Sequence, residues 1–246
     1  MNPSPSPPQH TNLQLLGQFR LELNGEPVPL CGNAQRLLAF IGLRGCVCRS
    51  VVAQTLWPDA TETHARGSLR TSLWHLSSDG RKLELVHCTQ ESLTLGHGVR
   101  VDASTLARTA LDIVRGRGPF HADPLLLGVL DRGDLLPDWD DNWVVLEREW
   151  LRRLRLQALD ILAERLARHN MPALALEAAL ASIRIEPLRE YPHRAAVSAH
   201  LAEGNMIEAL RHYEAFRQLL RTELGAEPSP WFTRKIPVKR RWRPRR

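Results

Sequence analysis

A repeat of 34 to 35 residues in the second half of the chain constrains its fold more than any other feature. Ala175 and Leu176 recur as Ala209 and Leu210 at a spacing of 34, while Leu166, Ala167, Asn170 and Met171 recur as Leu201, Ala202, Asn205 and Met206 at a spacing of 35. One inserted residue accounts for the slip. A unit of this length, with small and aromatic residues at helix contacts, is a pair of helices that cannot bury its apolar face alone and stacks on its neighbours as a solenoid. Glu186-Pro187 closes one such unit. From Asp102 onward the apolar periodicity is helical almost throughout, with loops near 116–124 and 131–137. The segment beginning LLPDWDDNWVVLEREW opens on Asp138, Asp140 and Asp141 and becomes basic further on, the order that a helix dipole favours. Trp139, Trp143 and Trp150 stand four and seven residues apart and read as a helix-packing seam.

The first hundred residues have a different texture. Residues 13–23 are apolar, with Phe19, Leu21 and Leu23 alternating with Arg20 and Glu22, which is strand periodicity. Asn24-Gly25 marks a tight hairpin turn, and Val28 to Leu30 a short returning strand at an edge. Asn33 reads as the cap of a helix with Leu37, Leu38, Phe40 and Ile41 on its buried stripe, ending between Gly42 and Gly45. Ser50 reads as the cap of a shorter helix that Trp57-Pro58 stops. After a third helix, 83–86 and 92–95 read as strands around a polar turn at 89–91, followed by 99–101. The order is sheet, three helices and a hairpin.

That third helix, residues 59–76 (DATETHARGSLRTSLWHL), carries the candidate site. At 3.6 residues per turn Ala65, Leu69, Ser72, Leu73 and Leu76 share one arc and face inward. The opposite arc collects Thr63, Gly67, Arg70, Thr71 and Trp74, with His64 and Arg66 at its borders. Arg binds guanine N7 and O6 bidentately, Thr meets a base edge or a thymine methyl, and Gly allows close approach of a backbone. The same face also suits an ordinary solvated helix, with Arg66 and Arg70 as partners of Glu62, and Trp74 reads more readily as packing beneath the hairpin than as a DNA contact.

Bulk charge adds little to that reading. The net charge is +6, but residues 234–246 hold eight cations and no acid, so the remainder carries −2. Cys31, Cys46, Cys48 and Cys88 have no CxxC spacing, so zinc is not expected, and they read as reduced thiols. Residues 1–10, MNPSPSPPQH, read as a disordered tail; neither a leader nor an apolar run of membrane-spanning length is visible, so a cytoplasmic protein is expected. No Walker A string, GxSxG elbow or HExxH pair occurs, which argues against an enzyme.

The strings LLGQFRLELNGEPVPL, AQRLLAFIGLRG, LWPD at 56–59 and ARGSLRTSLWHL together resemble the winged-helix domain of the SARP family of bacterial antibiotic-regulatory activators, itself similar to that of OmpR-type response regulators. The pieces LLPDWDDNWVVLERE, IEPLREYPHRA, HLAEGNMIEALRHYEAF and LRTELGAEPSP resemble the bacterial transcriptional activator domain that follows it in those proteins. The resemblance implies a mixed fold, an α+β winged helix-turn-helix over 11–102 and an all-α, tetratricopeptide-like domain over 103–230; residues 231–246 depart from the family's pattern, with two prolines and no apolar periodicity, and read as a basic disordered tail. It implies that Thr63, His64, Arg66, Gly67, Arg70, Thr71 and Trp74 meet the major groove and that Arg81 and Lys82 lead into a hairpin that reaches an adjacent groove or phosphates. Implied partners are promoter repeats in double-stranded DNA, RNA polymerase and a second protomer arranged head to tail on DNA, with no cofactor and no membrane. The implied role is transcriptional activation of a secondary-metabolic or antibiotic pathway. The other reading is a helical-repeat adaptor that binds proteins and whose winged helix has lost specific DNA binding.

Overall fold

The computed structural model describes residues 11–77, 85–117 and 124–236. They fall into two compact units, one formed by residues up to 107 together with 132–151, the other by 108–131 together with 152 onward. The observed grouping differs from the expected boundary at 102/103 in two respects: the first unit runs on to 107, and segment 132–151 returns to it.

In the first unit β1 (Thr11–Gln14), β2 (Arg20–Leu23) and β3 (Glu26–Pro27) form a meander. Residues 13–23 are therefore not one strand: Gly17, at φ 86°, allows the chain to fold back, and Leu13 pairs with Leu21. Asn24 and Gly25 both have positive φ, as a two-residue hairpin turn between twisted strands requires. Helix α1 (Gly32–Arg44) starts from Cys31, which makes no side-chain cap bond, so Asn33 lies inside the helix instead of capping it. Next come β4 (Val47–Cys48), α2 (Arg49–Leu56), α3 (Glu62–Ser77), β5 (Val86–Cys88), β6 (Ser92–Leu95) and β7 (Val99–Val101). Cys48, not Ser50, precedes the first turn of α2. The sheets are β3-β2-β1-β7 and β4-β6-β5. β7 thus leaves the hairpin and pairs parallel with β1, because its apolar Val99 and Val101 match the register of Thr11 and Leu13. Leu13, Leu21, Leu37, Leu38, Ile41, Leu56 and Leu93 fill the core. Gly42 permits the tightest approach there, since a Cβ would stand 3.1 Å from a methyl of Leu13.

Two longer helices start in this unit, α4 (Asp102–Arg115) and α6 (Asn142–Arg168). Segment 132–151 is bound into it by several bonds. Gly17 donates its N–H to the Asp134 carbonyl at 2.7 Å, and Leu136 donates to Leu15 at 2.9 Å. Arg148 donates to the carbonyls of Leu135, Leu136 and Trp139, which fixes the loop before α6. Arg36 pairs with Asp141, and Arg44 with Glu147 at 2.6 Å. Phe40 meets Trp143 edge-on at 5.1 Å, while Phe19 stacks on Trp139. The tryptophan seam therefore comprises Trp139 and Trp143; Trp150 projects to the surface.

In the second unit α5 (Pro124–Leu130) and the C-terminal part of α6 are followed by α7 (Pro172–Ile185), α8 (Glu190–Ala202), α9 (Met206–Leu224) and α10 (Pro230–Lys235). α7 and α9 start 34 residues apart and bury Ala175 and Ala209 at equivalent positions, so small side chains set the helix contacts of both repeats. Residues 231–236, expected to be disordered, are ordered. Ser229 caps α10 by accepting from the Trp231 N–H, and Phe232 and Ile236, one turn apart, are buried with Tyr213, Phe216 and Leu220. A stripe of two residues is too short to register as periodicity. The remaining tail, 237–246, the leader 1–10, and Arg81 and Lys82 lie outside the described residues.

Candidate nucleic-acid interface

Helix α3 begins where Thr61 stops the preceding turn, its carbonyl accepting from Ala65 and its hydroxyl from His64 at 3.5 Å. Ala65, Leu69, Ser72 and Leu76 are buried and Leu73 half-buried, so the expected inward stripe is the observed one. Outward, Thr63, His64, Arg66, Arg70, Thr71 and Trp74 are all exposed, and the structure brings them together on one helix face.

Their partners differ. Arg66 pairs with Glu62 at 2.6 Å, but both side chains are more than 60% exposed, so the pair is worth little and opens easily. Arg70 has no hydrogen-bond or ion-pair partner among the described residues. Thr71 bonds back to the Gly67 carbonyl. Trp74 is 61% exposed and rests edge-on against His75, so it does not pack beneath the hairpin. Instead it borders an apolar cleft with Leu73, Leu85, Val86 and Cys88.

Gly67 is the informative residue. A Cβ there would meet no atom within 4 Å, and its φ is not positive. Nothing among the described residues therefore requires glycine, although in a helix it is less stable than alanine by about 0.5–1 kcal/mol.

A second feature was not visible from the helix wheel. The antiparallel hairpin β5-β6 is closed by Thr89 and Ser92, whose backbone groups and hydroxyls bond each other. Arg49, the first residue of α2, donates its N–H to Glu91 at 2.9 Å and its guanidinium to the Thr89 carbonyl at 3.3 Å. This ties the hairpin turn to the start of α2. Arg49, Arg66 and Arg70, with Cys48, Gln90 and Glu91, line a cleft of about 550 Å³. The N-terminus of α2 has no side-chain cap and no acid in its first turn, and it carries a cation where the helix dipole disfavours one. Three guanidinium groups beside the helix N-terminus suit a phosphate. The sequence signal was Arg49 itself, a base where an acid is preferred. Among the described residues no cluster of His, Cys, Asp or Glu could hold a metal ion, and no helix is long and apolar enough to cross a membrane.

Residues 129–236 match the family described as Bacterial transcriptional activator domain. No curated protein matches the chain. Among solved structures, Mycobacterium tuberculosis EmbR, solved in complex with a low affinity phosphopeptide, superposes with a TM-score of 0.63 at 18% identity. The match covers 93% of this chain and 64% of the EmbR chain, so it supports the fold and leaves about a third of EmbR without a counterpart here. Residues 129–236 thus match a bacterial transcriptional activator domain over somewhat less than half of the chain, and the likeness to EmbR supports the fold, a winged helix followed by helical repeats.

Proposed function

We propose that the protein is a sequence-specific DNA-binding activator whose α3 enters the major groove, with Arg70 as the principal base-reading side chain. Thr63, His64, Arg66, Thr71 and Trp74 flank it on the same face. Arg49 and the uncapped start of α2 hold a backbone phosphate in the adjacent cleft, and Arg81 and Lys82 approach the duplex beside the hairpin. The observation that supports this reading is Gly67, a glycine on the outward face of α3 that no contact among the described residues requires and that a closely approaching backbone would. Promoter repeats, a head-to-tail pair of protomers, recruitment of RNA polymerase and control of a secondary-metabolic pathway complete the reading, and these rest on the resemblance to SARP activators.

Genome-wide mapping of bound DNA, followed by gel-shift on the enriched element, tests it. A repeated element bound in preference to random DNA at moderate salt is the expected result. Full-length protein without preference for any genomic sequence would point to the helical-repeat adaptor.

A further inference from the structure

Three histidines lie where α8 and α9 pack in the second unit. His193 on α8 is 5% exposed, stacked on Phe216 with ring centroids 3.8 Å apart. Its Nε2 lies 2.9 Å from the Pro187 carbonyl oxygen, which only accepts, so that nitrogen carries the hydrogen. Its Nδ1 lies 3.0 Å from Nε2 of His212 on α9 and must accept, so His212 is the donor. With both rings neutral, each is in its Nε2–H form. His200, two turns further along α8, places its ring 6.2 Å from His212, and its Nδ1 is buried without a hydrogen-bond partner among the described residues.

We infer that the His193–His212 hydrogen bond is a proton-sensitive latch, which holds α9 on α8 while both rings are neutral and releases the last helical repeat in acid. A proton added to either ring would bury a cation at this contact, where His193 is 5% exposed and stacked on Phe216 and His212 lies between two other imidazoles. The acid that acts on His193, Glu190, is already engaged by Arg194 and the Ser229 N–H. α7 contributes only Glu177 and Arg184, the latter paired with Asp131. On α9 Arg211 pairs with Glu208, and Arg217 with Glu214 and Glu227, at the surface. α10 adds only Arg234 and Lys235.

The titration runs in the matching direction. Burial, then His193 and His200, lower the His212 pKa to about 4, and burial lowers that of His193 against the opposing pull of Pro187 and Glu190. A histidine depressed in the folded state contributes its stability above the unfolded value near 6.5 and loses it as the pH falls towards 4. Ordinary carboxylates titrate at about 4, the lower end of this window, so pH 5.5 isolates the histidines.

Hydrogen–deuterium exchange on the full chain at pH 7.5 and 5.5, corrected for intrinsic exchange, tests the latch. Peptides of α8 and α9 should lose protection by on the order of ten-fold at pH 5.5, while α1 and α3 keep theirs. His212→Gln, whose amide still donates to His193 Nδ1 but does not titrate, should keep protection at both pH values. Equal protection of the wild type at both, or a His212→Gln protein with the wild-type response, overturns the proposal. Should His212→Gln fail to fold, the imidazole NMR signals of His212 in the wild type decide: the ring should remain neutral at pH 5.5, and a ring that titrates near 6.5 overturns the proposal.

Discussion

The carboxylate of Asp102 accepts the backbone N–H of Leu15 at 2.8 Å, across 87 residues of chain, and also those of Leu16 and Ala103. One side chain thereby caps α4 and closes the end of β1 beside the strand that precedes it. Asp102→Ala leaves N–H donors without partners and should destabilise the first unit by about 1–3 kcal/mol. Asp102→Asn keeps one acceptor and should lose less. Urea denaturation followed by helical signal measures both, and an Asp102→Ala protein as stable as wild type would show that water replaces the carboxylate.

Gly67→Ala separates folding from binding. The alanine methyl enters open space on a helix, so the mutant should be more stable by about 0.5–1 kcal/mol. Its affinity for the target element should nonetheless fall, because the added methyl stands between α3 and the DNA. Tighter or unchanged binding together with higher stability would remove Gly67 from the interface.

Arg70 and Arg49 should fail differently. Arg70→Ala is expected to weaken specific binding by ~1–3 kcal/mol and to relax preference at one base position, as loss of a bidentate guanine contact does. Arg49→Ala should weaken specific and random DNA alike and lower the slope of log K against log salt by ~0.9. Fluorescence anisotropy on single-base variants and a salt series distinguish the two; exchanged behaviours would exchange their roles.

A fragment ending at 107 should not reproduce the winged helix. It lacks Trp143 against Phe40, Glu147 against Arg44 and the 132–136 strand bonds to Leu15 and Gly17. Calorimetry should show no cooperative transition, or one well below that of a fragment ending at 151. In the full chain Trp143→Ala should destabilise by about 3–5 kcal/mol, as loss of a buried aromatic does. Equal melting of the two fragments would show that the returning segment adds nothing.

Removing residues 237–246 takes away six cations and brings the net charge from +6 to zero, while leaving Phe232 and Ile236 in the core. If those cations reach phosphates, the salt slope should fall by up to ~0.9 for each contact, equally on specific and random DNA. Identical slopes would leave the tail without a part in binding.

The sequence by itself determined what is local and periodic. The 34-residue spacing placed the start of α7 and α9, Asn24-Gly25 fixed a turn whose φ values few other residues adopt, and the leucine stripe of α3 decided which of its residues face outward. Only the tertiary structure decided relationships that depend on pairing at a distance. β7 left the hairpin for β1 because strand partners are chosen across the chain, and 132–151 joined the first unit through ion pairs and aromatic contacts with residues a hundred positions away. Arg49 entered the cleft because the hairpin turn folds onto α2, and Phe232 and Ile236 became core because Phe216 and Tyr213 offered them a surface. Periodicity reports which face of an element is apolar; which apolar faces meet, and in what register, is set by the free energy of packing the whole chain.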